Sequence, residues 1–151
     1  MFNTIKENFS RAFFALLFSI ITIATLSFLS FNTSYGLFLA GSFGATMVLI
    51  FGYPESPFAQ PKNVFFGHLI TSLVAILVLQ FLPLDDFLQI TIAVGFGIFF
   101  MILFGVTHPP AGGNPIVVIL AASSYEFLIN PIIFGTLIII FYAIILNRFI
   151  L

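Results

Sequence analysis

A chain of 151 residues that is 61% apolar and 6% charged cannot clothe itself for water, since a small domain exposes much of its area and an ordinary one carries about 25% charge. Its net charge of −1 comes with no basic stripe, which excludes phosphate-led nucleic-acid binding. It has no Cys, which excludes disulfides, thiolate chemistry and Cys-ligated metal; with so few charges, lipid must replace water over most of its outside.

In chain order, Lys6 and Arg11 precede an apolar run from Ala12 to Phe31. That run is longer than the roughly 7–15 residues of a signal-peptide core and has no small-residue cleavage motif. It matches the roughly 20 residues a helix needs to cross the hydrocarbon, and it is read as a retained span. Asn32-Thr33-Ser34 ends it, and Gly36–Phe51 is a shorter, glycine-punctuated apolar segment. Tyr53–Asn63 reads as a loop, because Pro54, Pro57 and Pro61 oppose regular helix.

Val64–Leu82 is the next span, closed by Pro83-Leu-Asp-Asp86, and Phe87–Thr107 is the fourth. His108-Pro-Pro-Ala-Gly-Gly-Asn-Pro115 cannot be helical through its middle. Ile116–Ala122 is too short to cross alone, Ser123–Glu126 is polar, and Leu128–Leu146 is the last long span. The predicted fold is a single all-α integral membrane domain over residues 1–151, with four long transmembrane helices and two broken half-helix segments.

The chain resembles itself at an offset of 68 positions. Gly44-Ala-Thr-Met-Val-Leu-Ile-Phe51 aligns with Gly112-Gly-Asn-Pro-Ile-Val-Val-Ile119. At the same offset Phe66, Gly67, Leu69 and Ile70 recur as Phe134, Gly135, Leu137 and Ile138. Two windows at one ungapped offset predict a duplication, residues 12–82 against 87–148. With Lys6 and Arg11 cytoplasmic, six crossings place Lys62 and Arg148 inside as well, and Asp85, Asp86 and Glu126 outside, as the positive-inside rule favours. Three crossings per repeat invert one half relative to the other. The expectation is an inner (plasma) membrane protein with both termini cytoplasmic.

Inverted repeats with interrupted helices hold substrates between half-helix ends near the midplane. Here the interruptions are Gly41/Gly44 and Pro109–Pro115, followed by short helices whose starts, near Ala45-Thr46 and Gly113-Asn114, would converge. A helix N-terminus offers unpaired N–H groups and about half a positive charge, so it can hold a small anion without Lys or Arg. The candidate binding residues are Gly44, Ala45, Thr46, His68, His108, Pro109, Pro110, Gly112, Gly113 and Asn114. For Gly41, Gly44 and Ala45, close helix packing is the competing explanation. His68 could instead be an interfacial residue bonded to a backbone carbonyl, and His108 a clasp for the carbonyls ending the fourth span. Non-helical backbone at membrane depth, as in Pro109–Pro115, survives only when buried or lining a cavity.

No carboxylate at membrane depth supports a metal between the histidines, and no cofactor is expected. Gly95-Phe-Gly97 lacks the strand and third glycine of a nucleotide fingerprint. No nucleophile–base pair or carboxylate dyad appears at membrane depth, so the chain is not read as an enzyme. The 23 Phe residues are read as lipid-facing and packing surface.

Thr107-His108-Pro109-Pro110-Ala111-Gly112 resembles the signature of the HPP family of integral membrane proteins. Gly44-Ala45-Thr46, Pro57-Phe-Ala-Gln60-Pro61-Lys-Asn63 and Gly67-His68-Leu69 resemble that family's second signature. The chain departs from the usual Ala-Gly-Ala pattern at Gly113-Asn114-Pro115. The resemblance implies a compact helical membrane domain; some members are associated with nitrite transport, and others carry cytoplasmic domains such as CBS pairs. Two functions are weighed: a transporter or channel for a small inorganic anion such as nitrite, and a non-transporting assembly module packed through its glycines. Lipid is a partner in both, and a homo-oligomer is compatible with both.

Overall fold

A computed structural model describes residues 2–34 and 36–150; Met1, Tyr35 and Leu151, within the single predicted domain, lie outside them. Six α-helices follow one another: α1 (Phe2–Asn32), α2 (Ser42–Gly52), α3 (Pro61–Phe81), α4 (Asp86–Leu103), α5 (Asn114–Leu120) and α6 (Phe134–Ile150). Tight 3₁₀ turns at Pro57–Ala59 and Pro109–Gly113 precede α3 and α5, and a wide turn over Leu128–Ile133 leads into α6. Among the described residues four segments are long and apolar enough to cross a membrane: Thr4–Asn32, Pro61–Phe81, Asp86–Leu103 and Leu128–Leu146.

The boundaries differ from the sequence reading for local reasons. Pro61 starts α3 instead of excluding it, because a proline at the first helical position gives up an N–H that has no partner there anyway. The loop therefore shrinks, and Ser56 Oγ accepts from Phe58 N at 3.3 Å inside it. The Gly36–Phe51 segment is helical only from Ser42, after Gly36 turns the chain at φ +99°, a conformation glycine adopts freely. Likewise α4 stops at Leu103, two residues before Gly105 at φ +63°. The last span bends at Asn130, whose φ of −124° and ψ of 119° are extended, as the residue before a proline prefers.

Two apolar cores hold the chain together. Leu26 of α1, Phe43, Met47 and Ile50 of α2, and Ile139 and Ala143 of α6 form one. Ala75 and Ile76 of α3, Ala93 of α4, and Val118 and Ile119 of α5 form the other. The third helix of each half thus packs against the first two helices of the opposite half. Glycine makes the closest approaches. A Cβ on Gly67 would lie 3.2 Å from the Val106 carbonyl oxygen, and one on Gly135 would lie 3.0 Å from that of Phe38. Outside, large apolar side chains such as Phe28, Phe31, Phe87 and Phe104 are exposed, as a surface solvated by lipid tails requires. Not every Phe faces outward, for Phe43 and Phe51 are core residues.

Arg11 of α1 pairs with Glu55, just beyond the end of α2, at 3.3 Å, and its guanidinium sits 5.9 Å from the Tyr53 ring centre. The start of α1, the end of α2 and the start of α3 therefore share one end of the bundle. Leu146 of α6 lines a cavity there with Arg11 and Glu55, so Arg11, Lys62 and Arg148 gather at that end. The 21 residues of α3 rise about 31 Å and deliver Asp85 and Asp86 to the other. Glu126 lines a cavity with Gly36 and Leu37, beyond the far end of α1.

Candidate functional site

Between the two cores lies a knot of polar side chains. α2 contributes Ser42 and Thr46, α3 contributes His68, Thr71 and Ser72, the stretch before α5 contributes His108, and Asn114 opens α5. Thr46, His68, Thr71, Ser72 and His108 are 0% exposed and Asn114 is 1%, so the knot is sealed. Burying a polar atom without a partner costs about 1–3 kcal/mol, and the knot avoids this by internal pairing.

Asn114 is the hub. Its Oδ1 accepts from Ser42 Oγ at 2.6 Å. Its Nδ2 lies 3.0 Å from His68 Nδ1 and 2.9 Å from Ser72 Oγ, with the His68 carbonyl oxygen and Thr71 Oγ1 at 3.2 and 3.3 Å. On the far side of its ring, His68 Nε2 is 2.9 Å from Thr46 Oγ1. Thr46 Oγ1 is in turn 3.1 Å from His108 Nε2. His108 Nδ1 is 2.8 Å from the Phe58 carbonyl oxygen. Phe43 stands edge-on to His68, ring centres 5.3 Å apart, walling the imidazole on its apolar side.

The partners dictate the tautomers, because a neutral imidazole donates from one nitrogen and accepts at the other. A carbonyl only accepts, so His108 Nδ1 carries its proton and His108 Nε2 is an acceptor; the single Thr46 hydroxyl proton is shared between that nitrogen and the Ser42 carbonyl oxygen, each at 3.1 Å. An amide nitrogen only donates, so His68 Nδ1 accepts and His68 Nε2 donates to Thr46. When the Thr46 hydroxyl turns from the Ser42 carbonyl to His108, every hydrogen bond from Asn114 to Phe58 points the same way.

Local sequence explains the assembly. Gly67 lacks the side chain that would strike His108 Cβ at 2.8 Å, so the Val106–His108 strip lies flat against α3. Asn63 Nδ2 clamps it further, donating to the carbonyls of Thr107 and Pro57 at 3.0 Å each. Thr71 Oγ1 donates to the Gly67 carbonyl at 2.9 Å, which leaves its lone pairs turned toward Asn114.

Of the ten residues singled out from the sequence, Thr46, His68, His108 and Asn114 meet in the knot. Gly44 and Ala45 point outward from α2, and Ala45 borders an outer groove with Pro109 and Pro110. Gly112 and Gly113 are half-buried, and no heavy atom lies within 4 Å of a Cβ placed on either. Sequence reasoning missed Ser42, Asn63, Gly67, Thr71 and Ser72. Helical spacing could have found three: Ser42 is four residues before Thr46, and Thr71 and Ser72 are three and four after His68. Among the described residues no group of three or more His, Asp or Glu gathers into a metal-binding set.

The family described as HPP, transmembrane region, matches residues 4–150. Two transmembrane proteins of Dictyostelium discoideum are similar, one 31% identical over 118 residues and the other 32% over 120. Those matches cover 74% and 75% of this chain, and the chain spans only 41% and 39% of the relatives' own lengths. No solved structure matches it. Four membrane-length apolar segments and a match running through nearly all of them leave one assignment: the chain belongs to the HPP transmembrane family.

Proposed function

We propose that the chain is a membrane transporter or channel for a small inorganic anion, with nitrite the first to test, and that the anion binds where α2 and α5 begin. The observation that carries this reading is the hydrogen bond between Ser42 and Asn114, the first residues of those two short helices. Polar groups inside a membrane domain are expensive and mark pathways by default, and this knot is the polar interior of an apolar chain. Helix starts favour negative charge, and the hydroxyls of Ser42 and Ser72 with the Asn114 amide supply donors without a buried cation. In the sealed state these groups satisfy one another. An anion takes the place of those internal bonds when the helix starts part.

The inverted 3+3 repeat is part of the same reading. Its support is the swapped packing of α3 and α6 and the pairing of Gly67 with Val106 and Gly135 with Phe38, positions separated by the same 68 as the sequence windows. α2 and α5 are then half-crossings that start at mid-depth from opposite faces. Collection of Lys6, Arg11, Lys62 and Arg148 at one end supports a cytoplasmic placement of that end, and an inner (plasma) membrane is the host proposed with it.

Stopped-flow flux of nitrite, nitrate and chloride into proteoliposomes tests the function. The expected outcome is uptake of at least one anion well above that of protein-free vesicles. Uptake equal to that of empty vesicles for all three, with folded protein present, refutes the reading. A second reading, an assembly module, is favoured by one observation: Gly44 and Gly52 border an open groove between α1 and α2, and a Cβ on either would meet nothing within 4 Å. The tightly packed glycines, Gly67, Gly97 and Gly135, bind this chain's own helices together instead.

A further inference from the structure

We infer that His68, Thr46 and His108 form a one-way proton relay from the Asn114 site to the Phe58 end of the bundle, coupling anion uptake to a proton. This deepens the transport reading and rests on it. The relay is an unbroken chain of three contacts, His68 Nε2 to Thr46 Oγ1 at 2.9 Å, Thr46 Oγ1 to His108 Nε2 at 3.1 Å, and His108 Nδ1 to the Phe58 carbonyl at 2.8 Å. With the Thr46 hydroxyl turned from the Ser42 carbonyl to His108, its donors all face the Phe58 end, and that end carries the basic residues. The titratable groups facing one another are the two histidines. α2 presents Ser42, Phe43 and Thr46, α3 presents Thr71 and Ser72, and α5 presents Asn114. Lys62 on α3 is exposed and Glu55 is engaged with Arg11.

The proton balance is simple. A hydronium ion arriving with the anion protonates His68 Nδ1 and leaves as water. The His68 Nε2–H bond breaks and its proton passes to Thr46 Oγ1, while the Thr46 hydroxyl proton forms a bond to His108 Nε2. His108 Nδ1 is sealed against the Phe58 carbonyl, so its proton passes to water when the loop segment carrying Phe58 moves off it. One proton crosses, no electron moves, and both rings must turn over before the next cycle.

Coupling resides in Asn114. Its Nδ2 donates to His68 Nδ1 in the sealed state, so a proton on Nδ1 sets two donors against each other. Asn114 must turn away, which weakens its bond to Ser42 and releases an amide N–H at the moment His68 becomes positive. A donor and a charge therefore become available to the anion together, and neither is available without the proton.

The test loads proteoliposomes with a pH-sensitive dye and imposes an inward gradient of nitrite or nitrate, reading anion and proton flux in the same vesicles, with empty vesicles subtracted for leakage of the neutral acids. Wild type is expected to acidify its lumen as the anion enters. Thr46→Val keeps the shape and removes the hydroxyl. It should slow acidification about 100-fold, the low end for losing a positioned proton-transfer group, whereas Thr46→Ser restores it. If Thr46→Val does not fold, His108→Gln serves, since its amide can hold the Phe58 bond but cannot pass a proton. Anion flux without acidification, or normal acidification in Thr46→Val or His108→Gln, overturns the relay and leaves the transporter standing. Absence of anion flux in wild type overturns both.

Discussion

Replacing Gly67 by alanine tests the packing on which the knot depends. An added Cβ would sit 2.8 Å from His108 Cβ and 3.2 Å from the Val106 carbonyl oxygen. Carbon atoms rest about 3.5–4.0 Å apart, so His108 must retreat by roughly 1 Å. It has little freedom to do so, because its ring is tied to Phe58 at 2.8 Å on one side and Thr46 at 3.1 Å on the other. Overpacking of this kind costs about 1–3 kcal/mol, offset by up to about 1 kcal/mol because alanine favours helix over glycine. A net loss of about 1–2 kcal/mol is expected in equilibrium unfolding in mixed detergent micelles. Gly135→Ala should behave alike, since its Cβ would meet the wholly buried Phe43 ring at 2.6 Å. Gly95→Ala is the control: no atom lies within 4 Å of its added carbon, so only the helix gain remains and stability should rise by up to about 1 kcal/mol. Gly67→Ala as stable as Gly95→Ala would refute the argument.

Other outcomes follow from the same geometry. Gly112→Val adds a Cβ that meets nothing within 4 Å and should fold with anion flux lost; wild-type flux would place the approach to the site elsewhere. Asn114→Leu leaves the Ser42 hydroxyl and a His68 nitrogen without their partner, and should cost about 2 kcal/mol in the same unfolding assay; no loss would mean the knot contributes nothing. Nitrogen-15 NMR of labelled histidine should find the proton of His68 on Nε2 and that of His108 on Nδ1, and the opposite pair would break the relay's polarity. Cysteines introduced at Lys62 and Asp85 should react with a membrane-impermeant reagent from opposite faces, and labelling from one face would sink the six-crossing arrangement.

The long spans were legible because a run of apolar residues at membrane length has few alternatives. Helix ends were less so, and the misreadings have one cause: glycine and proline act by position. Pro61 reads as a breaker although it occupies the first helical position, and the sequence does not mark Gly36 and Gly105 as turns. Within the site, His108, Thr46 and Asn114 stand out as polar residues beside helix interruptions, and His68 as a titratable group inside a span. Ser42, Thr71 and Ser72 do not, since a hydroxyl in a membrane helix usually bonds its own backbone, as Thr91 does to the Phe87 carbonyl. Gly67 is visible as a repeat marker and as part of the Gly67-His68-Leu69 signature stretch, but not as a packing contact, because nothing in a sequence says which glycine meets another segment of backbone.

The 68-residue offset also says where the two halves differ, and the differences fall on the relay. Gly67 and Gly135 correspond, as do Phe38 and Val106, so the scaffold contacts are shared. Thr46 corresponds to Asn114, and each offers a polar side chain to His68. The position opposite His68 is Thr136, whose hydroxyl bonds the Ile132 carbonyl at 2.6 Å, and the position opposite His108 is Ala40. Neither can carry a proton onward. On the proposed repeat, a two-fold scaffold therefore holds an asymmetric wire that reaches only the basic end. A symmetric wire would let protons run down their gradient in either direction without an anion. A wire in one half, gated by Asn114 at its inner end, ties each proton to an occupied site, and restoring symmetry tests this. Thr136→His with Ala40→His should add a second branch and produce proton leak in the absence of anion; if vesicles bearing that double variant stay as proton-tight as wild type, the asymmetry has no bearing on coupling.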